Sequence, residues 1–397
     1  MDPRANPYTP NAGARPPALV GRDDELDAFD VLLARLRRGI AEQSLIVTGL
    51  RGVGKTVLLG EFERRAKEVG WATVDAEISS DAPFGPRMAQ LGRRALLELS
   101  PPARWRERLS RAAGVLKSFS ISVSSDGTLT GSFDVEAIEG EADSGELGED
   151  LTDLLIAIGE AAGEQDRGVV FLLDELQLLA RTELEALIQA LHKTVQRQLP
   201  LTLVGAGLPQ LPRLAGEAKS YAERLFRFPT IGALPPAEAA EALTLPANEL
   251  GVSFAERAIE TVVVYTEGYP YFVQEYGKAL WDHAAGSPIT PVESVEAQAI
   301  VEAKLDSNFF RVRVERATPP EIAYLRAMAE LGADPQRAVD VARVLGQPSS
   351  AVGKTRSRLI DKGLLYSPGY GLAAFTVPQF DRFLRRAFPL GSRSSSA

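Results

Sequence analysis

The sequence predicts an α/β fold built on a parallel sheet, followed by a small all-helical unit and then by three helices with a hairpin. Three observations carry this reading. Short runs rich in β-branched and apolar residues, at 44–48, 169–173 and 201–204, read as buried strands and alternate with segments of helical period. From Leu234 onward the pattern turns helical, and the stretch 318–377 ends in two strand-like segments around Pro368-Gly369-Tyr370-Gly371. At 397 residues the chain exceeds one ordinary core, so two or three domains are expected.

Residues 1–16, a Pro/Ala/Gly/Asn stretch without the apolar core of a secretory signal, predict a mobile or draped arm. Leu19-Val20-Gly21-Arg22-Asp23-Asp24-Glu25-Leu26 then leads into a helix whose apolar residues Leu26, Phe29, Leu32, Leu33 and Leu36 recur at helical spacing. Strand 44–48 is followed by a glycine-rich turn, a helix from Thr56 to about Val69, and a second strand at 71–78. Strand, helix, strand is the opening of a parallel α/β sheet. Phe119, Ile121 and Val123 alternate with serines, and Leu129, Gly131, Phe133 and Val135 alternate with polar residues beyond Asp126-Gly127. This predicts a hairpin insertion at about 117–136. A three-residue loop (Ser125, Asp126, Gly127) would pair Val123 with Leu129 and Phe119 with Phe133, with Gly127 left-handed. The acidic, Gly-rich segment up to Asp150 reads as a flexible loop.

Strands at 169–173 and 201–204 are linked by a helix at 183–197, which completes a core at 17–233. The helical unit, 234–310, carries capping boxes at Ser253/Glu256 and Thr290/Glu293, with Pro291 at the first helical position. A third box, Thr318/Glu321, starts the last unit, 311–390, ahead of a flexible tail at 391–397. Helices to about Leu331, over 338–345 and over 349–362, closed by Gly363, and a hairpin across 364–377 make a winged helix.

Composition narrows the chemistry. Apolar residues are 45% and charged residues 24%, close to the averages of soluble folded proteins. Cysteine is absent, which excludes thiol nucleophiles, Cys-based zinc sites and disulfide frameworks, and with His192 and His283 alone, histidine-rich metal sites are excluded too. No run approaches the roughly 18 apolar residues needed to cross a bilayer. A cytoplasmic protein with no membrane partner is expected. Residues 311–397 hold 14 Lys+Arg against 7 Asp+Glu, net +7, which leaves −16 on residues 1–310 of a chain total of −9. A basic tail on an acidic body predicts either a nucleic-acid contact or docking of the tail onto that body.

Gly49-Leu50-Arg51-Gly52-Val53-Gly54-Lys55-Thr56 fits G-x-x-x-x-G-K-[ST] at every fixed position, between a predicted strand and a predicted helix. This is a P-loop. Its glycines let main-chain N–H groups curl around phosphate oxygens, and the helix N-terminus adds a positive dipole end. Lys55 is expected to reach the β- and γ-phosphates of ATP, and Thr56 to place its hydroxyl on Mg²⁺. Gly49, Gly52, Val53, Gly54 and Val57 complete the expected phosphate-side set. The run ending Leu173-Asp174-Glu175 delivers two carboxylates to the sheet edge. Asp174 is the expected magnesium ligand, through water, and Glu175 the candidate general base. Arg224 or Arg227 is a candidate arginine finger. A surface salt bridge is the alternative for either.

Together these motifs resemble AAA+ ATPases of the origin-recognition-complex type and the related bacterial signal-transduction ATPases, STAND-like P-loop proteins, over residues 17–385. The resemblance implies that Val20, Gly21 and Arg22 lie near the adenine, that 234–310 is the AAA+ lid, and that 119–135 is similar to the insertion initiator ATPases carry near DNA. Gly268-Tyr269-Pro270-Tyr271 resembles the Gly-x-Pro element of the signalling group, which makes Pro270 a nucleotide-side residue. Gly205-Ala206-Gly207-Leu208 departs from the pattern, since many AAA+ proteins have a polar sensor there. Slow, switch-like ATP hydrolysis to ADP is what this implies.

On the predicted recognition helix, Ser350, Lys354, Ser357, Arg358 and Asp361 share one face while Val352, Leu359 and Ile360 face inward. Lys354 and Arg358 are therefore candidate contacts to double-stranded DNA, and Arg382, Arg385 and Arg386 add charge that phosphates could meet. The alternative is a signalling switch whose winged helix contacts a protein partner or another copy of the chain.

Overall fold

In the computed structural model, which describes residues 1–11, 13–101, 105–124, 133 and 135–389, each buried apolar run becomes a strand and each helical-period segment a helix. The chain forms two units. One comprises Arg22–Gly49 and Lys55–Ile231; the other comprises Met1–Gly21, Leu50–Gly54 and the chain from Gly232 onward.

The first unit begins with α1 (Asp23–Leu36), whose Asp23, Asp24 and Glu25 complement the helix dipole and whose predicted stripe, Leu26 to Leu36, is buried. There follow β1 (Ser44–Thr48), α2 (Lys55–Glu68), β2 (Ala72–Glu77), α3 (Phe84–Leu99), α4 (Glu107–Ser122), α5 (Leu147–Glu164), β3 (Val169–Asp174), α6 (Arg181–Gln196), β4 (Leu201–Gly207), α7 (Leu211–Ala218), α8 (Ala222–Leu225) and β5 (Phe226–Arg227). The strands form one parallel sheet in the order β2-β3-β4-β1-β5. Helices on a parallel sheet cover both faces, which is why β1 and β4 are buried at every residue. β1 and β3 flank β4, so the loop after β1 and the acids after β3 emerge at one edge, on either side of the β4 end.

The predicted hairpin is corrected. Phe119 and Ile121 lie in α4, Phe119 buried and Ile121 exposed. Leu109, Ala112, Ala113, Leu116 and Phe119 recur at three and four residues, and this longer period outweighs the local alternation with serine. The loop 125–127 and Leu129 lie outside the described residues. The acidic segment, expected as a flexible loop, is fastened at both ends. Asp150 accepts from the Ser144 N–H (2.8 Å) and Oγ (2.7 Å), and Ser118 Oγ accepts from the Ile138 N–H (2.9 Å).

In the second unit the N-terminal segment lies along helices. Tyr8 is buried with its hydroxyl donating to Leu243 O, and the Trp281 indole donates to Asp2 O (2.9 Å). The helices are α9 (Pro236–Asn248), α10 (Glu256–Thr266), α11 (Pro270–His283) and α12 (Pro291–Lys304), the last running without a break through a π-helical turn, Leu305–Arg311, into α13 (Val312–Val314). The boundary expected at 310/311 therefore falls inside a continuous helical stretch. Its Phe309 and Phe310 join Phe272, Phe380 and Phe383 in one aromatic cluster, which holds the helical unit to the chain's last helix. Glu293 caps α12 as expected, accepting from the Thr290 N–H at 2.8 Å. The Ser253/Glu256 box is corrected, since α10 is preceded by Ala255. Residues 253–255 are instead drawn into extended pairing with Ile289, through Ala255 N–H to Ile289 O (2.9 Å) and Ile289 N–H to Ser253 O (2.9 Å).

The chain continues as α14 (Pro319–Leu331), β6 (Gln336–Arg337), α15 (Ala338–Leu345), α16 (Ser349–Asp361), β7 (Leu365–Tyr366), β8 (Leu372–Phe375) and α17 (Phe380–Ala387), with an antiparallel sheet in the order β6-β8-β7. Among the described residues no helix is long and apolar enough to cross a membrane.

Candidate functional site

Within the first unit, β1 delivers the chain to Gly49, whose N–H donates to Gly207 O (3.1 Å) and so extends the β1–β4 ladder by one bond. Lys55, at the start of α2, is 7% exposed, and its Nζ donates to Gly49 O at 2.9 Å. The ammonium is thus held over the main chain of its own loop. One residue on, Thr56 Oγ1 donates to Asp174 Oδ2 at 2.6 Å, across from α2 to the end of β3. The second oxygen, Oδ1, accepts the Glu175 N–H at 2.8 Å. Both carboxylate oxygens of Asp174 are therefore oriented.

Glu175 follows in the left-handed conformation, φ 56° and ψ 36°, which a non-glycine residue adopts only where its surroundings impose it. The chain turns sharply there, so both acids stay at the sheet edge instead of alternating to opposite faces. Gln177 Nε2 donates to Glu175 Oε2, and Gln177 Oε1 accepts from Leu208 N–H at 3.0 Å. Gln177 was missed from the sequence. Its signal was a polar residue two places after the acid pair, in the otherwise apolar stretch Leu176-Gln177-Leu178-Leu179.

Hydroxyl and carboxylate oxygens from Thr56, Asp174 and Glu175 are hard donors of the kind Mg²⁺ prefers. Among the described residues no group of three or more His, Cys, Asp or Glu could hold a metal alone. That donor set suits an ion shared with phosphate oxygens and water better than an all-protein cage.

Within the second unit, residues of the loop tip meet the Gly-x-Pro element. Gly52 has φ 88° and Gly54 φ 95°, bends that glycine makes without strain. A Cβ on Gly52 would fall 3.0 Å from Tyr269 Cε1. The Tyr269 hydroxyl donates to Arg51 O, and the Arg51 N–H donates to Thr376 O at 3.0 Å. Burial pushes the Tyr269 phenol far above its ordinary value, so it remains a donor. Gly268 is left-handed, and a Cβ there would lie 2.1 Å from Leu234 O; the Leu234 N–H in turn donates to Gly268 O at 2.8 Å. A Cβ on Gly21 would meet Glu238 Oε2 at 2.0 Å and Leu234 Cδ2 at 3.0 Å. Leu234 thus lies beside both Gly21 and Gly268, and the Tyr269 ring lies against Gly52. Pro270 is the first residue of α11. Val20 and Val57 are half-buried, and Val53 and Arg22 are buried.

Arg224 on α8 and Arg227 in β5 are exposed. Arg224 neighbours His192, whose imidazole is held below its ordinary value first by burial and then by the charges of Lys193 and Arg224. Lys354 and Arg358 are exposed on α16, and Val352 and Leu359 are buried beneath them. The basic residues of α17 are engaged within their own unit. Arg382 pairs with Glu267, Arg385 with Asp381 (2.5 Å), and Arg386 with Asp306 (2.7 Å) and Glu302 (3.0 Å).

Residues 18–204 match the AAA ATPase domain family. Over that stretch the chain is similar to AAA ATPase domains. The AAA+ match runs from the Val20-Gly21-Arg22 segment to Val204 in β4, and so includes the P-loop and both acids. Residues 307–384 match a domain of unknown function, DUF8462. No curated protein matches the chain. Among solved structures, the Walker-type ATPase PABY2304 of Pyrococcus abyssi is similar at TM-score 0.55 and 15% identity, over 94% of this chain and 97% of that one. The RuvB Holliday junction branch migration motor of Thermotoga maritima follows at TM-score 0.45 and 15% identity, over 92% and 95%. The ORC1 protein of Aeropyrum pernix, in complex with DNA, has TM-score 0.44 and 15% identity, over 94% and 94%. The likeness to PABY2304 is one of fold, a parallel α/β sheet with many helices.

Proposed function

We propose that this protein binds ATP with Mg²⁺, hydrolyses it slowly to ADP and phosphate, and uses the nucleotide as a switch. The observation that carries the reading is the 2.6 Å contact between Thr56 Oγ1 and Asp174 Oδ2, made directly beside Lys55 and Glu175. That contact sets the hydroxyl and carboxylate that would hold Mg²⁺ side by side before any ligand arrives, so little reorganisation is needed on binding. Bound Mg²⁺ would supply charge neutralisation on the phosphate oxygens. Lys55 adds a buried cation at the start of a helix, where amides and dipole favour anions. Glu175 orients the attacking water and accepts its proton. Val20, Gly21, Arg22 and Pro270 are the nucleotide-side residues that the resemblance implies, Gly52 is one of the glycines of the phosphate loop, and Arg224 is the arginine finger we assign, acting from its exposed position on α8.

Two substitutions test this. In equilibrium binding with labelled ATP, Lys55→Ala is expected to lose nucleotide affinity at least about a hundredfold, the order of a lost charge-assisted contact of about 3 kcal/mol. Glu175→Gln is expected to keep ATP bound while turnover falls about a hundredfold or more. Affinity of the Lys55 variant equal to the wild type would remove the site.

For the downstream role, the ion pairs of Arg382 and Arg386 with Glu267, Glu302 and Asp306 support a tail whose charge is spent on the helical unit, and thus a switch that contacts protein. Exposure of Lys354 and Arg358 supports the DNA-binding reading, in which a winged helix presents α16 to a duplex.

A further inference from the structure

β4 ends in Gly205-Ala206-Gly207-Leu208 with no polar side chain of its own, yet its edge is not bare. A Cβ on Gly207 would fall 2.4 Å from Gln177 Oε1, and one on Gly205 would fall 2.2 Å from Leu176 Cδ1. The two glycines are therefore the reason the turn after β3 can lie flat against β4, because any side chain would lift it away.

Gln177 uses both ends of its carboxamide in that position. The Leu208 N–H is a donor and nothing else, so it fixes Oε1 on its side at 3.0 Å, and the amide nitrogen must then face Glu175 Oε2, to which it donates. Few side chains fit both demands. A glutamate would keep the Leu208 bond and set a carboxylate against Glu175; an alanine would lose both bonds. An arginine or lysine would hold Glu175 by charge and leave the Leu208 N–H without its acceptor.

We propose that Gln177 is a positioning residue for Glu175, fixing the carboxylate's orientation and tying it to the main chain at the end of β4, in place of a polar side chain on that strand. The inference rests on Glu175 serving as the base, and it adds how that base is held. Glu175 occupies a left-handed backbone position, and the Gln177 Nε2 contact is one that gives its carboxylate a direction. Because the tether ends on the main-chain amide of Leu208, the residue after β4, a shift of that strand end moves the carboxylate with it.

The test is a steady-state ATPase series with ATP and Mg²⁺ on the full chain, comparing wild type, Gln177→Ala, Gln177→Glu, Glu175→Gln and the double variant Glu175→Gln/Gln177→Ala, with ATP affinity and Tm measured for each. Both Gln177 variants are expected to lose about tenfold or more in kcat while ATP affinity stays within about twofold. The double variant is expected to turn over at the Glu175→Gln rate, since a residue acting through another has nothing left to act on. Wild-type kcat in Gln177→Glu would overturn the proposal. So would a double variant reduced below Glu175→Gln by the same factor that separates Gln177→Ala from wild type, or a loss of ATP affinity in step with kcat, which marks a scaffold role. A Glu175→Gln variant as active as the wild type gives a different result, removing the base assignment itself and this inference with it.

Discussion

Backbone conformation at single residues sets several limits on what this chain tolerates. Glu175 holds φ 56° at a cost of about 1–3 kcal/mol, a strain that surrounding contacts through Asp174 and Gln177 offset. Gly268 is left-handed too, and any Cβ would sit 2.1 Å from a carbonyl oxygen that cannot move without breaking the Leu234–Gly268 pairing. Gly268→Ala is therefore expected to destabilise the protein by about 2 kcal/mol or more. Gly353 offers the contrast. It lies inside α16 with nothing within 4 Å of a would-be Cβ, so Gly353→Ala is expected to stabilise by about 0.5–1 kcal/mol. Paired chemical denaturation curves check both signs, and a neutral Gly268→Ala would mean the turn has room that the Leu234 carbonyl denies it.

Helix ends and helix faces account for the differences between expectation and structure at the next scale. The box at Thr290/Glu293 formed because its two residues need only each other. Ser253/Glu256 did not, because Ser253 had a better main-chain partner in Ile289, thirty-six positions away. Glu321 behaves like the first of these and gains a distant partner as well, accepting from the Thr318 N–H (2.7 Å) and from Lys362 Nζ (2.6 Å). Burial pushes its carboxyl up, but the hydrogen bonds from Lys362 and Thr318 outweigh that and hold it below the usual carboxylate range. A group whose folded pKa is depressed contributes stability above its unfolded value, about 4.3, and loses it as pH falls through the folded value. Lys362→Ala is thus expected to cost about 2 kcal/mol at pH 7. The gap to wild type should narrow as the pH falls from the unfolded value, about 4.3, through the folded one, and thermal melts at pH 7 and at the acid limit of folding read it directly. An equal gap at both would assign the loss to packing instead of charge.

At the scale of the whole chain, a ligand that binds only the folded state raises stability by mass action, about 2.7 kcal/mol at a hundred times its Kd. ATP with Mg²⁺ is expected to raise the Tm of the wild type and to leave that of Lys55→Ala unmoved. The basic tail gives a second measurement. If duplex DNA is the partner, binding should weaken steeply with salt, and Lys354→Ala/Arg358→Ala should flatten that slope by about two. Nucleotide-dependent self-association without a salt-sensitive duplex complex would favour the protein-contact reading. The P-loop, the acid pair, the buried strands and the stripe of α1 were all readable in the amino-acid order, because each depends on residues close together: glycines that admit positive φ, a lysine and threonine opening a helix, an apolar run that must be covered on both faces. What tertiary structure alone decided was different in kind. Gln177 meets the Leu208 N–H only where β4 lies beside the end of β3, and Arg382 and Arg386 meet acids some eighty to one hundred and fifteen positions away. Neighbours distant along the chain leave no local pattern for a sequence to display, since the free energy that selects them is shared among contacts that exist only once the chain has closed on itself.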